Sequence, residues 1–304
     1  MLDFLKEEGV SPELIAGIEE YRATYPLTEE DAKDRVQKPE YCFYGKDIWE
    51  KALAALLAGE NLLLTGPKAT GKNVLAENLS YVFMRPSWNV SFHISTEASY
   101  LIGQDTYDGE KVVFRPGPIY LTAEHGGFVV LDEINMARNE ALAVLHSALD
   151  FRHLIDVPGY RKVQVHPAAR FIATMNYGYA GTRDLNAALA SRFAILNMPV
   201  ISEDDLRKLL MNRFPSLKTD ICEQFMKLFY ELEAKASHAD ISDRAVDLRG
   251  LLDALRLMEK GLSSGAALDL CIINKTFDPF EQNLVRDVVN ARIPQDLTKD
   301  LVFS

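Results

Sequence analysis

Residues 61 to 83 read NLLLTGPKATGKNVLAENLSYVF, and this stretch constrains the fold more than any other. An apolar run with the character of a buried strand enters a loop bounded by Gly66 and Gly71. The segment after it places Leu75, Leu79, Val82 and Phe83 on one helical face. Strand, glycine loop and helix in this order form a phosphate cradle, because the loop N–H groups and the helix N-terminus converge on one anion. Gly66, Pro67, Lys68, Ala69, Thr70, Gly71, Lys72, Asn73 and Val74 are therefore the candidate nucleotide-binding residues, with Lys72 the charge that neutralises phosphate. The usual pattern closes on Ser or Thr, whose hydroxyl binds Mg²⁺; this chain has Asn73 instead. Either the Asn73 amide oxygen serves the metal, or the loop binds nucleotide and hydrolyses it poorly, or the match is accidental. The strand before and the helix after argue against accident. Mg²⁺ takes hard oxygen ligands and keeps several waters, so an amide oxygen is compatible with binding.

Further apolar runs at WNVSFHI, GFVVL, RFIATM and FAILNMP are separated by stretches long enough for helices. With NLLLT they predict an α/β fold: a five-stranded parallel sheet with helices on both faces. Two hairpins interrupt it, TYDGEKVVF turning at Asp108-Gly109 and LIDVPGYRKVQV turning at Pro158-Gly159. After Pro199 the pattern is helical only: Ser202 is placed to cap a helix carrying Leu206, Leu209 and Leu210 on one face, and Ile221, Phe225, Leu228, Phe229 and Leu232 continue it. The first forty residues look helical and peripheral, with Ser11 and Thr28 as caps. The expected organisation is a helical lead-in over 1–40, a nucleotide-binding α/β domain over 41–199 and a small all-helical lid over 200–304.

A chain of 304 residues with 48% apolar and 25% charged residues has the balance of a folded globular protein of about two domains. With 33 basic and 44 acidic residues the net charge is −11, which repels phosphate backbones and makes nucleic acid an unfavoured partner. No apolar run approaches the roughly 18 residues that span a bilayer, and MLDFLKEEGV lacks the features of a signal peptide, so the expectation is a cytoplasmic protein with no membrane insertion. Cys42, Cys222 and Cys271 lie in no metal-ligand spacing and read as reduced thiols. His125, His146 and His153 form no ligand pair at helical spacing. NKTFD at 274–278 imitates a guanine-reading motif, but its carboxylate falls one residue late.

GGFVVLDEI ends an apolar strand in Asp132-Glu133, which sets two carboxylates at the strand edge where open α/β sheets bind ligands. Asp132 there can hold Mg²⁺ through its water shell, and Glu133 can orient and deprotonate an attacking water. Asn176 ends the strand FIATMN. By itself it would start a turn; beside a Glu-activated water it can hold that water in line with a phosphate.

GPKATGKN, FVVLDE, ATMNYGYAGTRDLNAALASRF and SDRAVDL occur in the order and rough spacing of AAA+ ATPases. Over residues 41 to 260 the chain resembles the MoxR branch with its CbbQ and NorQ relatives, and the dynein-related AAA+ group. The resemblance implies that Lys72 is the phosphate lysine, that Asp132 and Glu133 form the second nucleotide motif, and that Asn176 is the γ-phosphate sensor. It makes Arg192, in ASRF, the arginine finger that reaches a neighbouring subunit's nucleotide, and Arg244, in SDRAVDL, the sensor arginine of the lid. Its cofactors would be ATP and Mg²⁺, with Asn73 and Asp132 on the metal side. It further implies hydrolysis to ADP and phosphate, a homo-oligomeric ring of hexameric type, and remodelling or maturation of a client protein. The usual associate of MoxR relatives contains a von Willebrand factor A domain. The two hairpins look like inserts that face the pore of such a ring or a partner. Two other readings stay open: an ATP-binding switch with little turnover, which Asn73 favours, and a nucleic-acid-linked motor, which the net charge opposes.

Overall fold

The computed structural model describes every residue except 28–32, 158 and 177–183. Its strands are β1 (Leu62–Thr65), β2 (Ser87–Ser91), β3 (Gly103–Tyr107), β4 (Val112–Pro116), β5 (Phe128–Asp132), β6 (Leu154–Asp156), β7 (Lys162–Gln164), β8 (Arg170–Met175) and β9 (Ala194–Asn197). Five of them form one sheet in the order β2-β5-β8-β1-β9, with every neighbouring pair parallel. These are the five apolar runs of the sequence. Both faces are covered, because alternate residues of each strand enter different cores. Leu63, Val129, Leu131, Phe171 and Ala173 pack on one side. Leu62, Leu64, Phe128, Val130 and Ile172 pack on the other, against the helices Lys46–Leu57 and Lys72–Val82.

The first residues are not peripheral. Leu5, Val10, Ile15, Ile18 and Tyr21 belong to the same buried core as the helix that follows the glycine loop. The Tyr21 hydroxyl donates to the carbonyl of Ala168, 2.5 Å away. Ser11 does stand before the helix Pro12–Thr24, but its hydroxyl faces the Glu13 carboxylate and makes no backbone cap. Thr28 lies outside the described residues, as does Pro158.

Both expected hairpins form, β3 with β4 and β6 with β7. They are tied to each other: the Tyr160 hydroxyl donates to Asp105, and the Tyr160 and Phe114 rings lie 4.8 Å apart. Tyr107 and Val112 on the first hairpin stay exposed.

The chain divides into two compact units, residues 1–67 with 71–199, and residues 200–304 with Lys68–Thr70. The second unit consists of helices, the longest being Glu203–Arg213, Thr219–Ser237, Leu248–Glu259 and Pro279–Arg292. Ser202 caps the first of these by accepting from the N–H of Asp205. Among the described residues no helix is long and apolar enough to cross a membrane.

One buried polar side chain fixes the segment before the helix Lys46–Leu57 to the loop helix. Asn78 has no exposed surface; its Nδ2 donates to the carbonyls of Tyr41 (2.8 Å) and Val74 (2.7 Å), and its Oδ1 accepts from the N–H of Phe43 (3.4 Å). Asn78→Leu should therefore lower the unfolding free energy by about 1–3 kcal/mol, since it takes the amide partner from the part-buried Tyr41 carbonyl and Phe43 N–H and leaves no polar tie between the two segments at this point. Urea denaturation measures this, and an unchanged midpoint would show that those groups find other partners.

Candidate active site

Parallel pairing brings the chemistry-bearing residues together. Strand β8 lies between β1 and β5, with Thr65 level with Met175 and Leu131 level with Ala173. Gly66, Asn176 and the Asp132-Glu133 pair therefore leave neighbouring strands at one edge of the sheet, the carboxyl edge where open α/β sheets take ligands.

The glycine loop begins where it has no room for a side chain: a Cβ on Gly66 would meet the carbonyl oxygen of Met198 at 2.7 Å. Met198 is held there by its own N–H, which bonds the carbonyl of Thr65 at 2.7 Å. Further along, Ala69 (φ 61°) and Gly71 (φ 80°) adopt left-handed backbone, the kind of conformation that turns successive N–H groups toward an anion. Pro67 and Lys68 are exposed, Thr70 is buried, and Val74 is half-buried in the first turn of the helix. Lys72 is only 7% exposed, and its ammonium donates to the carbonyls of Gly66 (3.0 Å) and Pro67 (2.6 Å). Burial pushes the Lys72 pKa down to about 8, against the opposing pull of the Asp132 and Glu133 charges. Asn73 is exposed at the second position of the helix.

At the end of β5 the two carboxylates are organised by a residue that the sequence reading passed over. The buried Thr174 hydroxyl donates to Asp132 Oδ1 (2.5 Å) and accepts from the N–H of Glu133 (3.1 Å). Glu133 takes left-handed backbone, φ 53° and ψ 47°, which costs a non-glycine residue on the order of 1–2 kcal/mol. The Thr174 bond and the bond from the Met136 N–H to the Glu133 carbonyl (2.8 Å) hold it there. Asn176 donates from Nδ2 to Glu133 Oε1 at 3.2 Å, and the buried Asn135 donates to the Asn176 carbonyl at 2.9 Å. Asn135 Oδ1 has no protein donor among the described residues. Thr174 was findable: it is a polar residue inside an apolar strand, two positions before Asn176 and hence on the same face. Asn135 gave no such signal.

Arg192 lies at the other edge of the sheet. Its carbonyl accepts from Asn61 Nδ2 at 3.2 Å, and Asn61 precedes β1. The run from Asn61 to Gly66 covers roughly 16 Å at about 3.3 Å per residue. The Arg192 guanidinium is engaged at that far edge, donating to the carbonyls of His146 (3.3 Å) and Ala188, with Asp150 at 3.8 Å. Arg244 is in the second unit, exposed, its guanidinium 5.7 Å from the centre of the Phe277 ring. The whole segment between Asn176 and Asp184, residues 177–183, lies outside the described residues.

Residues 61–193 match the model of the AAA domain, dynein-related subfamily. A Bacillus subtilis (strain 168) protein, uncharacterized protein YojN, is 32% identical over 245 residues, which cover 79% of this chain and 80% of that protein. The chain belongs to the dynein-related AAA proteins. Uncharacterized protein SH1500 of Staphylococcus haemolyticus is 30% identical over 258 residues, 83% of this chain and 98% of the relative. Uncharacterized protein SAB1265c of Staphylococcus aureus is 32% identical over 248 residues, 80% and 94% respectively. An AAA domain implies a nucleotide, in general ATP with Mg²⁺. The residues present fit that pair: the loop offers left-handed turns and a buried ammonium, and Asp132 adds an anionic oxygen beside it. Among the described residues no cluster of three His, Cys, Asp or Glu side chains is set to hold a metal. Few protein ligands suit Mg²⁺, which relies on phosphate oxygens and its own waters.

Thr174→Val removes the hydroxyl at nearly constant shape and strands both the Asp132 carboxylate and the Glu133 N–H. A loss of about 1–3 kcal/mol in unfolding free energy is expected, together with a fall in phosphate release while nucleotide still binds. Denaturation and a phosphate-release assay measure the two effects. Wild-type values in both would show that the hydroxyl is idle.

Proposed function

We propose that this chain is an ATP-hydrolysing AAA+ protomer of the MoxR type, which assembles into a hexameric ring and uses turnover to remodel or mature a client protein. The observation that carries this reading is the distribution of residues over the sheet. Lys72, Asp132, Glu133 and Asn176 gather at one edge, and Arg192 is tethered at the opposite edge, beyond reach of its own phosphate loop. A site with both sets of residues needs two copies of the chain, and a ring supplies them at every boundary.

In this mechanism Lys72 and the loop hold the phosphates of ATP. Mg²⁺, when bound, neutralises charge on the phosphate oxygens; Asp132 and the Asn73 amide oxygen would hold it. Glu133 takes a proton from a water whose oxygen bonds to the γ-phosphorus while the bond to the bridging oxygen breaks, which gives ADP and phosphate. Asn176 orients the Glu133 carboxylate through its Nδ2. Arg192 of the next copy offsets the charge that develops on the γ-phosphate, and Arg244 acts as the lid's sensor of that phosphate. The tied hairpins, with Tyr107 and Val112 exposed, offer a surface for the client or for a partner carrying a von Willebrand factor A domain. A cytoplasmic setting belongs to the reading, and Cys42, Cys222 and Cys271 are free thiols.

The trans role is tested by mixing subunits. Arg192→Ala should lose about 10³-fold or more in turnover with ATP still bound, and so should Glu133→Gln. Mixed together they should regain activity, since an Arg192→Ala subunit keeps its Glu133 and borrows Arg192 from its Glu133→Gln neighbour. A wild-type rate per subunit that persists at concentrations where the protein is monomeric would overturn the reading.

Asn73 favours the second reading, an ATP-binding switch with little turnover, because it replaces the metal-binding hydroxyl. As a working ligand, Asn73 predicts that Asn73→Thr keeps or raises turnover and that Asn73→Ala lowers it with a weaker Mg²⁺ dependence. Phosphate release across a Mg²⁺ titration decides. Turnover in Asn73→Thr rings but none in wild-type rings would favour the switch.

A further inference from the structure

Arg192 is not alone at its edge of the sheet. Asp150, its side chain 11% exposed, accepts from Arg152 at both carboxylate oxygens: Nε lies 3.1 Å from Oδ1 and 3.1 Å from Oδ2, and the terminal nitrogen lies 2.6 Å from Oδ2. The N–H of Arg152 adds a further bond to Oδ1 at 3.0 Å. Arg192 approaches the same carboxylate but stops at 3.8 Å, a charge contact and not a hydrogen bond. Its Nε and one terminal nitrogen are spent on the carbonyls of His146 and Ala188. The other terminal nitrogen, the one facing Asp150, makes no hydrogen bond among the described residues. The Asp150 carboxyl is held down to about 2, first by its side-chain bond from Arg152 and with Arg192 adding charge, so it stays ionised throughout the physiological range.

Two guanidiniums thus share one carboxylate unequally. A carboxylate facing a single arginine closes into a two-bond fork. Such a fork would lock Arg192 to its own subunit. Arg152 already occupies both oxygens, so Arg192 is steered by the negative charge without being captured.

We propose that Asp150 and Arg152 form a positioning pair for Arg192: Asp150 sets the guanidinium by charge, and Arg152 keeps one of its nitrogens open for the phosphates bound by a second copy of the chain. The inference rests on the trans role of Arg192 given above. Neither partner touches the nucleotide, so each acts through Arg192.

The experiment is a suppression series with the purified protein across a Mg-ATP titration that reaches saturation. Arg152→Gln frees Asp150 to close on Arg192, and kcat should fall about tenfold or more while KM for ATP stays within about twofold of wild type. Asp150→Asn added to Arg152→Gln removes the capturing charge, and the double variant should turn over faster than Arg152→Gln alone. A folding defect gives the reverse, because the second change deletes a further ion-pair partner. In mixed rings, Arg152→Gln subunits should be rescued by Glu133→Gln subunits and not by Arg192→Ala subunits, the pattern of a residue that works through Arg192. Arg152→Lys keeps the cation without the fork and carries the same comparison if the Gln variant does not fold. A wild-type kcat for the Arg152 variant, or a double variant no faster than the single one, would overturn the pair. If Arg192→Ala itself keeps wild-type turnover, the trans reading fails instead, and the two failures are told apart by that one control.

Discussion

The pairing of β8 between β1 and β5 is the constraint on which the rest of the site depends. Residues more than forty positions apart meet because three parallel strands end side by side, and their register decides which residues stand level. A slip of one residue in β8 would turn Thr174 and Asn176 to the opposite face and bring Met175 in their place. In the observed register the Thr174 hydroxyl meets both Asp132 and the N–H of Glu133, and Asn176 reaches the Glu133 carboxylate. The cost of left-handed backbone at Glu133 is offset locally by these bonds, so the strained residue and the residues that hold it form one unit.

The same sheet keeps Arg192 away from the phosphate loop of its own chain. Its strands separate two edges by roughly 16 Å at about 3.3 Å per residue, with Lys72, Asp132, Glu133 and Asn176 at one and Arg192 at the other. The far edge is a packed structure in its own right. Asn61 bonds the carbonyls of both Leu149 and Arg192, which fixes the ends of two helical segments beside the start of β1. Asp150 follows Leu149 directly, so the anchoring that places Arg192 also places the carboxylate beside it.

Buried polar side chains recur at each join of the first unit. Asn78 fastens the segment around Phe43 to the loop helix, Thr65 bonds Asn197 and so joins β1 to the edge strand β9, and Tyr21 ties the N-terminal helices to Ala168. Such groups are costly unless satisfied, and each here is paired with a specific backbone or side-chain partner. They give this nucleotide-binding unit defined contacts where apolar packing alone would allow neighbouring elements to slide.

Much was legible in the sequence. Five apolar runs, the glycine loop, the Asp-Gly turn and the helical periodicity after Pro199 depend on local spacing, and local spacing is what a sequence displays. The loop residues and the carboxylate pair at the end of GFVVL could be named for the same reason. The central role of the first helices was not legible, because a short amphipathic helix reads the same whether it joins a main core or lies on a surface. Only the tertiary structure decided the strand order, and with it the meeting of Thr174 with Asp132 and Glu133 and the distance between Arg192 and its own phosphate loop. The pairing of Asp150 with Arg152 beside Arg192 was decided there too. Contacts of this kind join residues far apart in the chain through hydrogen bonds whose partners no periodicity encodes.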